Sequence, residues 1–493
     1  MEKFILAIDQ GTTSTRAILF DHEGNARYMA QREVECIFPK SGWVEQDALS
    51  LWISVIDVTN EVLVKANISF SEIDSIGITN QRETAIVWDK ETGLPVAKAI
   101  VWQSRQTYEI CQRYESKKEY IHEKTGLLIN PYFSASKIRF ILDHLPNGQE
   151  RAERGELMFG TVDTWIIYKM TNRKVFATDA SNASRTLLFN INTLSWDEDL
   201  CKLFNIPMCM LPEIRPSSGD FGTAEFFTHK VNIRGVAGDQ QAALFGQTCW
   251  EKGESKNTYG TGCFMLMNIG EEPILSHEGL LTTVAWNIDG KVSYALEGSV
   301  FIGGAVVQWL RDGMRMIHTS ADSEEEAMKC VSSGGVYVVP AFVGLGTPYW
   351  DDDARGAVFG LTRNTNKSHF VRACLEGIAY QCKDVFEVMK KESNLPLKAL
   401  KVDGGATSNK FLLQFQSDIL RTDINLPVCL QTTALGVAYL AGLSSGFYNS
   451  LNEIKKIHTY QATFKPKMKK SEVEELYRGW KKAVKATRMF KVK

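Results

Sequence analysis

Several absences narrow the field for this 493-residue chain. No run of about 18 apolar residues occurs, so no segment reads as a helix that crosses a membrane. The apolar run at residues 4–8 is too short for a secretory signal and ends at Asp9. Ten cysteines are scattered with no Cys-x-x-Cys pair and no zinc-ligand spacing to histidine, which argues against a structural zinc module. Free, scattered cysteines fit a reducing compartment. A net charge of -2 supplies no general attraction to nucleic acid or anionic membrane. The P-loop pattern G-x-x-x-x-G-K-[ST] is missing, and no full G-x-G-x-x-G follows a strand, which argues against P-loop NTPases and Rossmann dehydrogenases. These absences lead to the expectation of a cytoplasmic protein with no nucleic-acid partner and no membrane insertion.

What is present is a design used twice. Residues 4–20 and 256–269 each read as strand, tight Gly/Thr turn, strand. Such a turn offers backbone N–H groups and small hydroxyls to an anion, with no bulky side chain in the way. One turn in each half suggests two related domains gripping one polyphosphate from opposite sides. A boundary near residue 248 divides the chain into 1–247 and 248–493. No Pro/Ser-rich linker marks it, so the halves should join tightly around a cleft, a common place for ligands. Helices are expected at residues 106–124, 134–145, 301–317, 367–391, 409–420 and 434–444, the first of them only roughly bounded. The Lys-rich tail reads as a solvated surface helix.

Four groups of residues carry candidate chemistry. Asp9 ends the first strand beside the phosphate turn, where a carboxylate makes sense if it holds Mg²⁺; a turn-capping aspartate is the alternative. Arg16, on the returning strand, can pair with phosphate. Asp239, at a strand end in Gly238-Asp239-Gln240-Gln241, can accept a proton from a substrate hydroxyl or merely cap the helix behind it. In Arg82-Glu83 a forked donor stands next to an acceptor, which matches vicinal hydroxyls on a small polyol; a surface ion pair is the plain alternative. Trp102 and Phe264 can wall the polyol's carbon face, and Tyr132 can add a hydroxyl. Gly260-Thr261-Gly262 and Gly404-Gly405-Ala406 are further glycine points, the latter placed to bring a helix N-terminus to a nucleotide.

At these residues the chain resembles the FGGY carbohydrate kinases, and within them the glycerol-phosphorylating branch. The resemblance covers essentially the whole length. It rests on Asp9-Gln10-Gly11-Thr12-Thr13-Ser14, Asn80-Gln81-Arg82-Glu83-Thr84, Pro131-Tyr132-Phe133-Ser134, Asn182-Ala183-Ser184-Arg185-Thr186, Gly238-Asp239-Gln240-Gln241, Asn257-Thr258-Tyr259-Gly260-Thr261-Gly262 and Val402-Asp403-Gly404-Gly405. Xylulose-phosphorylating members carry a Gly-Gln-Met-His-Gly run where this chain has Asn-Gln-Arg-Glu. The resemblance implies an α/β fold of two ribonuclease-H-like (actin/hexokinase-type) domains flanking a central cleft. It implies transfer of phosphate from ATP, with Mg²⁺, to glycerol, giving sn-glycerol 3-phosphate, and a homo-oligomer, dimer or tetramer. It places Arg82, Glu83, Tyr132, Asp239 and Gln240 on glycerol's hydroxyls, Trp102 and Phe264 on its carbons, and Asp239 as the base. It puts Thr12, Thr13, Ser14, Arg16, Thr261, Gly304, Gln308, Gly405 and Asn409 on the nucleotide.

Two departures bear on regulation. The segment before Asp239, residues 225–235, is short. It lacks both the histidine run phosphorylated in many Gram-positive relatives and the Gly-rich loop that binds a sugar bisphosphate in enteric ones; His229 is therefore expected to stay unmodified. Two competing functions remain: a kinase for another small polyol or dihydroxyacetone, and a catalytically silent nucleotide or polyol sensor.

Overall fold

The computed structural model describes residues 3–225, 229–396 and 398–490. The N-terminal half is built on strands β1 (Phe4–Gln10), β2 (Ser14–Phe20), β3 (Ala26–Glu33), β4 (Ile73–Asn80), β5 (Thr223–Ala224) and β6 (Val231–Gly238), which form one sheet in the order β5-β6-β4-β1-β2-β3. The chain of β1 is apolar on both faces because the strand is central and covered on both sides. By contrast, β3, at the edge, is polar and mostly exposed. Helix α1 (Ala48–Ala66) covers one face with Leu51, Val55, Val58 and Val62. It starts where the Asp47 carboxylate accepts the Leu49 and Ser50 N–H groups, and it stops at Asn67 in the left-handed region. Helix α2 (Ser134–His144) and helix α3 (Asp239–Gly246) complete the parts of this half that matter below.

The C-terminal half repeats the scheme with β7 (Ser255–Tyr259), β8 (Cys263–Gly270), β9 (Leu281–Ile288), β10 (Lys291–Val300), β11 (Leu400–Asp403), β12 (Ile424–Pro427) and β13 (Tyr460–Phe464), in the order β9-β10-β8-β7-β11-β12-β13. Each sheet has a first strand, β1 or β7, with antiparallel neighbours on one side. On its other side lie two parallel strands, β4 and β6 or β11 and β12. Helices α4 (Lys367–Ser393), α5 (Lys410–Leu420), α6 (Thr432–Ser445) and α7 (Lys470–Met489) follow.

The halves are welded by α6. Although late in the chain, it packs on β1, β4, β6 and α3 of the N-terminal sheet. The approach is close enough to demand glycine: a Cβ on Gly436 would lie 1.8 Å from the Ala242 carbonyl oxygen, and one on Gly246 2.0 Å from that of Thr432. One apolar cluster accordingly mixes Ile5, Phe20 and Phe245 with Leu266, Trp286, Leu435 and Leu440.

Three expected elements differ. Residues 106–124 form separate pieces, Tyr108–Gln112, Glu115–Lys117 and Lys118–Thr125, because only Ile110, Cys111, Ile121 and Thr125 are buried in them and no continuous apolar stripe holds them as one helix. Of residues 301–317 only Ala305–Gln308 is α-helical, followed by a wider π turn over Trp309–Gly313. Its start is tied down by Gly303 N–H donating to Thr261 O and Gly304 N–H to Gly260 O, both at 2.8 Å. The tail is not simply a solvated helix: β13 pairs with β12, and α7 buries Val473, Trp480 and Val484. Trp480 stacks on Tyr380 with centroids 5.3 Å apart and donates to Asp384 Oδ2 at 2.8 Å. Among the described residues no helix is long and apolar enough to cross a membrane.

Candidate active site

The parallel pairing gathers the N-terminal motifs at one edge. Asp9 of β1 lies opposite Thr79 of β4, which lies opposite Ala237 of β6. The strands therefore end together, and the edge carries Asp9, then Gln81-Arg82-Glu83, then Asp239 as the first residue of α3. Sites beyond the carboxyl ends of parallel strands are a general property of α/β sheets. In the other half Thr258 lies opposite Asp403, so the Gly260–Gly262 turn and Gly404-Gly405 share an edge in the same way.

Arg82 is the hub of the N-terminal edge. Its Nε stands 3.1 Å from Asp239 Oδ1. Its two terminal nitrogens reach across to Glu297 of β10, Nη1 to Oε2 at 2.5 Å and Nη2 to Oε1 at 2.9 Å. Nη2 also donates to the Tyr132 hydroxyl at 3.4 Å. Arg185 completes the network, with Nε donating to Glu83 Oε1 at 2.6 Å and Nη2 to Glu297 Oε1 at 3.0 Å. These groups are buried, yet paired, which is the condition on which buried charge persists. Burial pushes the Glu297 carboxyl up, but Arg185 and Arg82 outweigh it and hold the group at about 2. Glu83 is raised by burial against the pull of Arg82 and Arg185. Asp239, whose side chain is 29% exposed at the cleft, is raised by desolvation, opposed by Arg82 and Lys256. A carboxylate lifted in this way is a better proton acceptor than a free one.

The backbone beneath is held as firmly. Glu83 adopts φ 59°, a left-handed conformation that costs a non-glycine residue about 1–3 kcal/mol. Its carbonyl accepts the Ser134 hydroxyl at 3.0 Å and the Lys137 ammonium at 3.1 Å. Lys137, fully buried on α2, also donates to the Tyr132 carbonyl at 2.5 Å. Burial drives its pKa down to about 7, the Glu83 charge opposing. The three rings expected at the acceptor are brought together: Trp102 meets Tyr132 edge-on at 5.5 Å and Phe264, from the other half, at 6.1 Å. Gln240 lies next to Asp239 and accepts from Lys256.

The C-terminal edge opens on a cavity of about 370 Å³ lined by Tyr259, Gly260, Thr261, Gly304, Gln308, Gly405, Ala406, Asn409 and neighbours. All five C-terminal residues expected to touch nucleotide lie on its wall. Thr12, Thr13, Ser14 and Arg16 do not. Thr12 instead takes the Trp102 indole N–H on its hydroxyl at 2.9 Å and Gln46 Nε2 on its carbonyl at 2.7 Å. Arg16 donates to Gln31 at 3.1 Å and stands 3.9 Å from Asp9. A larger cavity of about 830 Å³, between α4 and α7, contains none of the expected residues.

Burial raises the Asp9 carboxyl, with Arg16 opposing. Among the described residues no cluster of three or more His, Cys, Asp or Glu side chains can cage a metal. A single carboxylate beside the Gly11–Thr13 turn fits Mg²⁺, which usually keeps several waters and takes only one or two carboxylates. The segment before Asp239 includes residues 226–228, which lie outside the described residues; His229 is exposed.

Glu297, Lys256 and Lys137 belong to no functional reading of the sequence, and Arg185 lies in a motif without a role there. The available signal was a lone charge inside an apolar stretch, as in Tyr294-Ala295-Leu296-Glu297, which a buried strand accepts only when a partner exists.

Comparison with known proteins agrees with this geometry. The model of the FGGY family of carbohydrate kinases, N-terminal domain, matches residues 4–246, and that of the C-terminal domain matches 255–445. The chain is 57% identical to the glycerol kinases of Halalkalibacterium halodurans and Listeria monocytogenes, in each case over 99% of this chain and 100% of the relative. It is also similar to the crystal structure of Plasmodium falciparum glycerol kinase with ADP, with a TM-score of 0.91, 38% identity, and coverage of 99% of this chain and 98% of that one. With both domain models matched and the two sheets built to one plan, the chain belongs to the FGGY family of carbohydrate kinases.

Proposed function

We propose that the protein transfers the terminal phosphoryl group of ATP to a primary hydroxyl of glycerol, giving sn-glycerol 3-phosphate and ADP. The observation that carries this reading is the meeting of Arg82, Glu83 and Asp239 at one strand edge, with Asp239 open to the cleft. The glycerol kinases cited above, similar along their full length, support the choice of acceptor.

The roles follow from chemistry. Asp239 takes the proton of the attacking hydroxyl as its oxygen bonds to the γ-phosphorus, while the bond from that phosphorus to the ADP oxygen breaks. Glu83 Oε2, which among the described residues accepts no protein donor, and Arg82 offer an acceptor and a donor to the remaining hydroxyls. Trp102 and Phe264 pack on the carbons. The glycine-lined cavity holds the nucleotide through backbone groups, and Thr12–Ser14 with Arg16 meet its outer phosphate next to the acceptor. Asp9 would hold Mg²⁺, which supplies charge neutralisation on the phosphates. Positioning and electrostatics dominate phosphoryl transfer, so a constellation with no covalent nucleophile is sufficient.

The test is ADP release with MgATP against glycerol, dihydroxyacetone, erythritol, xylulose, gluconate and no acceptor. Release with glycerol well ahead of the others is expected. Equal or faster release with another polyol would replace glycerol as substrate, and release without acceptor would make the protein an ATPase.

A further inference from the structure

Lys256 is a fully buried cation whose role neither the family match nor the reading above supplies. It lies on β7 of the C-terminal sheet, four residues before the glycine turn, but its side chain serves the other half. Its ammonium donates to Gln240 Oε1 at 2.5 Å and to the Thr258 hydroxyl at 2.8 Å. Gln240 follows the base Asp239 on α3 and donates its own backbone N–H to Asp239 Oδ1 at 2.7 Å.

An ammonium has three donors and no acceptor, whereas a carboxamide has one end of each kind. Lys256 therefore admits only one orientation of the Gln240 amide, with oxygen toward the lysine and the NH₂ group turned away. Among the described residues that NH₂ donates to no protein group. We infer that Lys256 is a positioning residue for the acceptor: by fixing the Gln240 carboxamide from the nucleotide half, it makes Nε2 a dedicated donor to a hydroxyl oxygen of the bound polyol. Lys256 itself need not touch substrate. Because it is rooted in the strand that leads into the nucleotide turn, it also ties the acceptor donor to the sheet that carries the nucleotide site.

This rests on the acceptor site proposed above, and the experiment keeps the two apart. Wild-type turnover is first measured across the polyol panel; if another polyol is preferred, the function falls and the Lys256 comparison is made with that polyol. Lys256→Met, Gln240→Ala and the double variant are then compared. Lys256→Met is expected to raise the acceptor KM about ten-fold and leave the ATP KM within about two-fold. Gln240→Ala should do the same, and the double variant should be no worse than either single one, because both remove one interaction. Additive losses, an unchanged acceptor KM in Lys256→Met, or an equal rise in the ATP KM would overturn the inference. If Lys256→Met fails to fold, Gln240→Glu decides: it keeps a partner for the ammonium but presents no donor, so its acceptor KM should rise about ten-fold, and a wild-type value would refute the assignment.

Discussion

The turns at residues 11–13 and 260–262 both connect antiparallel strands, with nearly the same small residues, yet they have opposite neighbours. The second faces the cavity and is completed by other glycines, Gly304 and Gly405. The first is stitched into the acceptor side through Trp102 and Gln46. Local sequence makes each turn able to meet an anion; what surrounds it decides which end of the reaction it serves. The two sides also differ in how they are held. The proposed acceptor side is fixed by buried charges from both halves, whereas the proposed nucleotide side is mainly backbone and small residues.

The largest effect expected falls on Asp239, the proposed base. Asp239→Asn should lower kcat by about 10²–10⁴, the usual contribution of a general base, with nucleotide affinity retained. Normal turnover would remove Asp239 as the base.

Next comes the contrast between the turns. A Cβ on Gly262 would meet the Val300 carbonyl oxygen at 2.4 Å, so Gly262→Ala must displace the turn. Its ATP KM should rise ten-fold or more, with little change in that for glycerol. Thr12→Val removes the acceptor of the Trp102 indole N–H, and should change kcat and the glycerol KM by a few-fold, with a smaller rise in the ATP KM than Gly262→Ala gives. Steady-state kinetics on the pair would break the comparison if both variants lost the same substrate.

The smallest effect is one of pH, and it belongs to the acceptor side. Lys137 has a pKa of about 7 in the folded chain against 10.5 when free. Between those values the unfolded chain binds more protons, so this group's contribution to stability improves as pH rises through that window. The Tm difference between wild type and Lys137→Met should grow in favour of wild type from pH 7 to 9.5. A constant difference would mean that Lys137 does not titrate there.

Much of this was legible early because it is local. A strand that ends in a glycine turn, and helices such as those read over residues 134–145 and 367–391, are set by neighbours a few residues apart. The Arg82-Glu83 pair was also readable, since its donor and acceptor geometry is a property of the dipeptide. The buried charges were not. Arg82 and Glu297 are 215 residues apart, and in sequence a lysine at 137 or 256 looks like any solvated lysine. The expected solvated tail failed for the same reason: nothing near Trp480 in sequence reveals that Tyr380 and Asp384 await it.

The sequence by itself determined the two strand–turn–strand units, the polar motifs at their ends and the family those motifs resemble, because each is encoded within about ten residues. The tertiary structure alone decided that α6 crosses to the N-terminal sheet, that only the second turn fronts the cavity, and that Glu297 and Lys256 reach back to Arg82 and Gln240. The reason is that burial of an ion is tolerable only beside its partner, and which partner is available is a property of how two sheets meet.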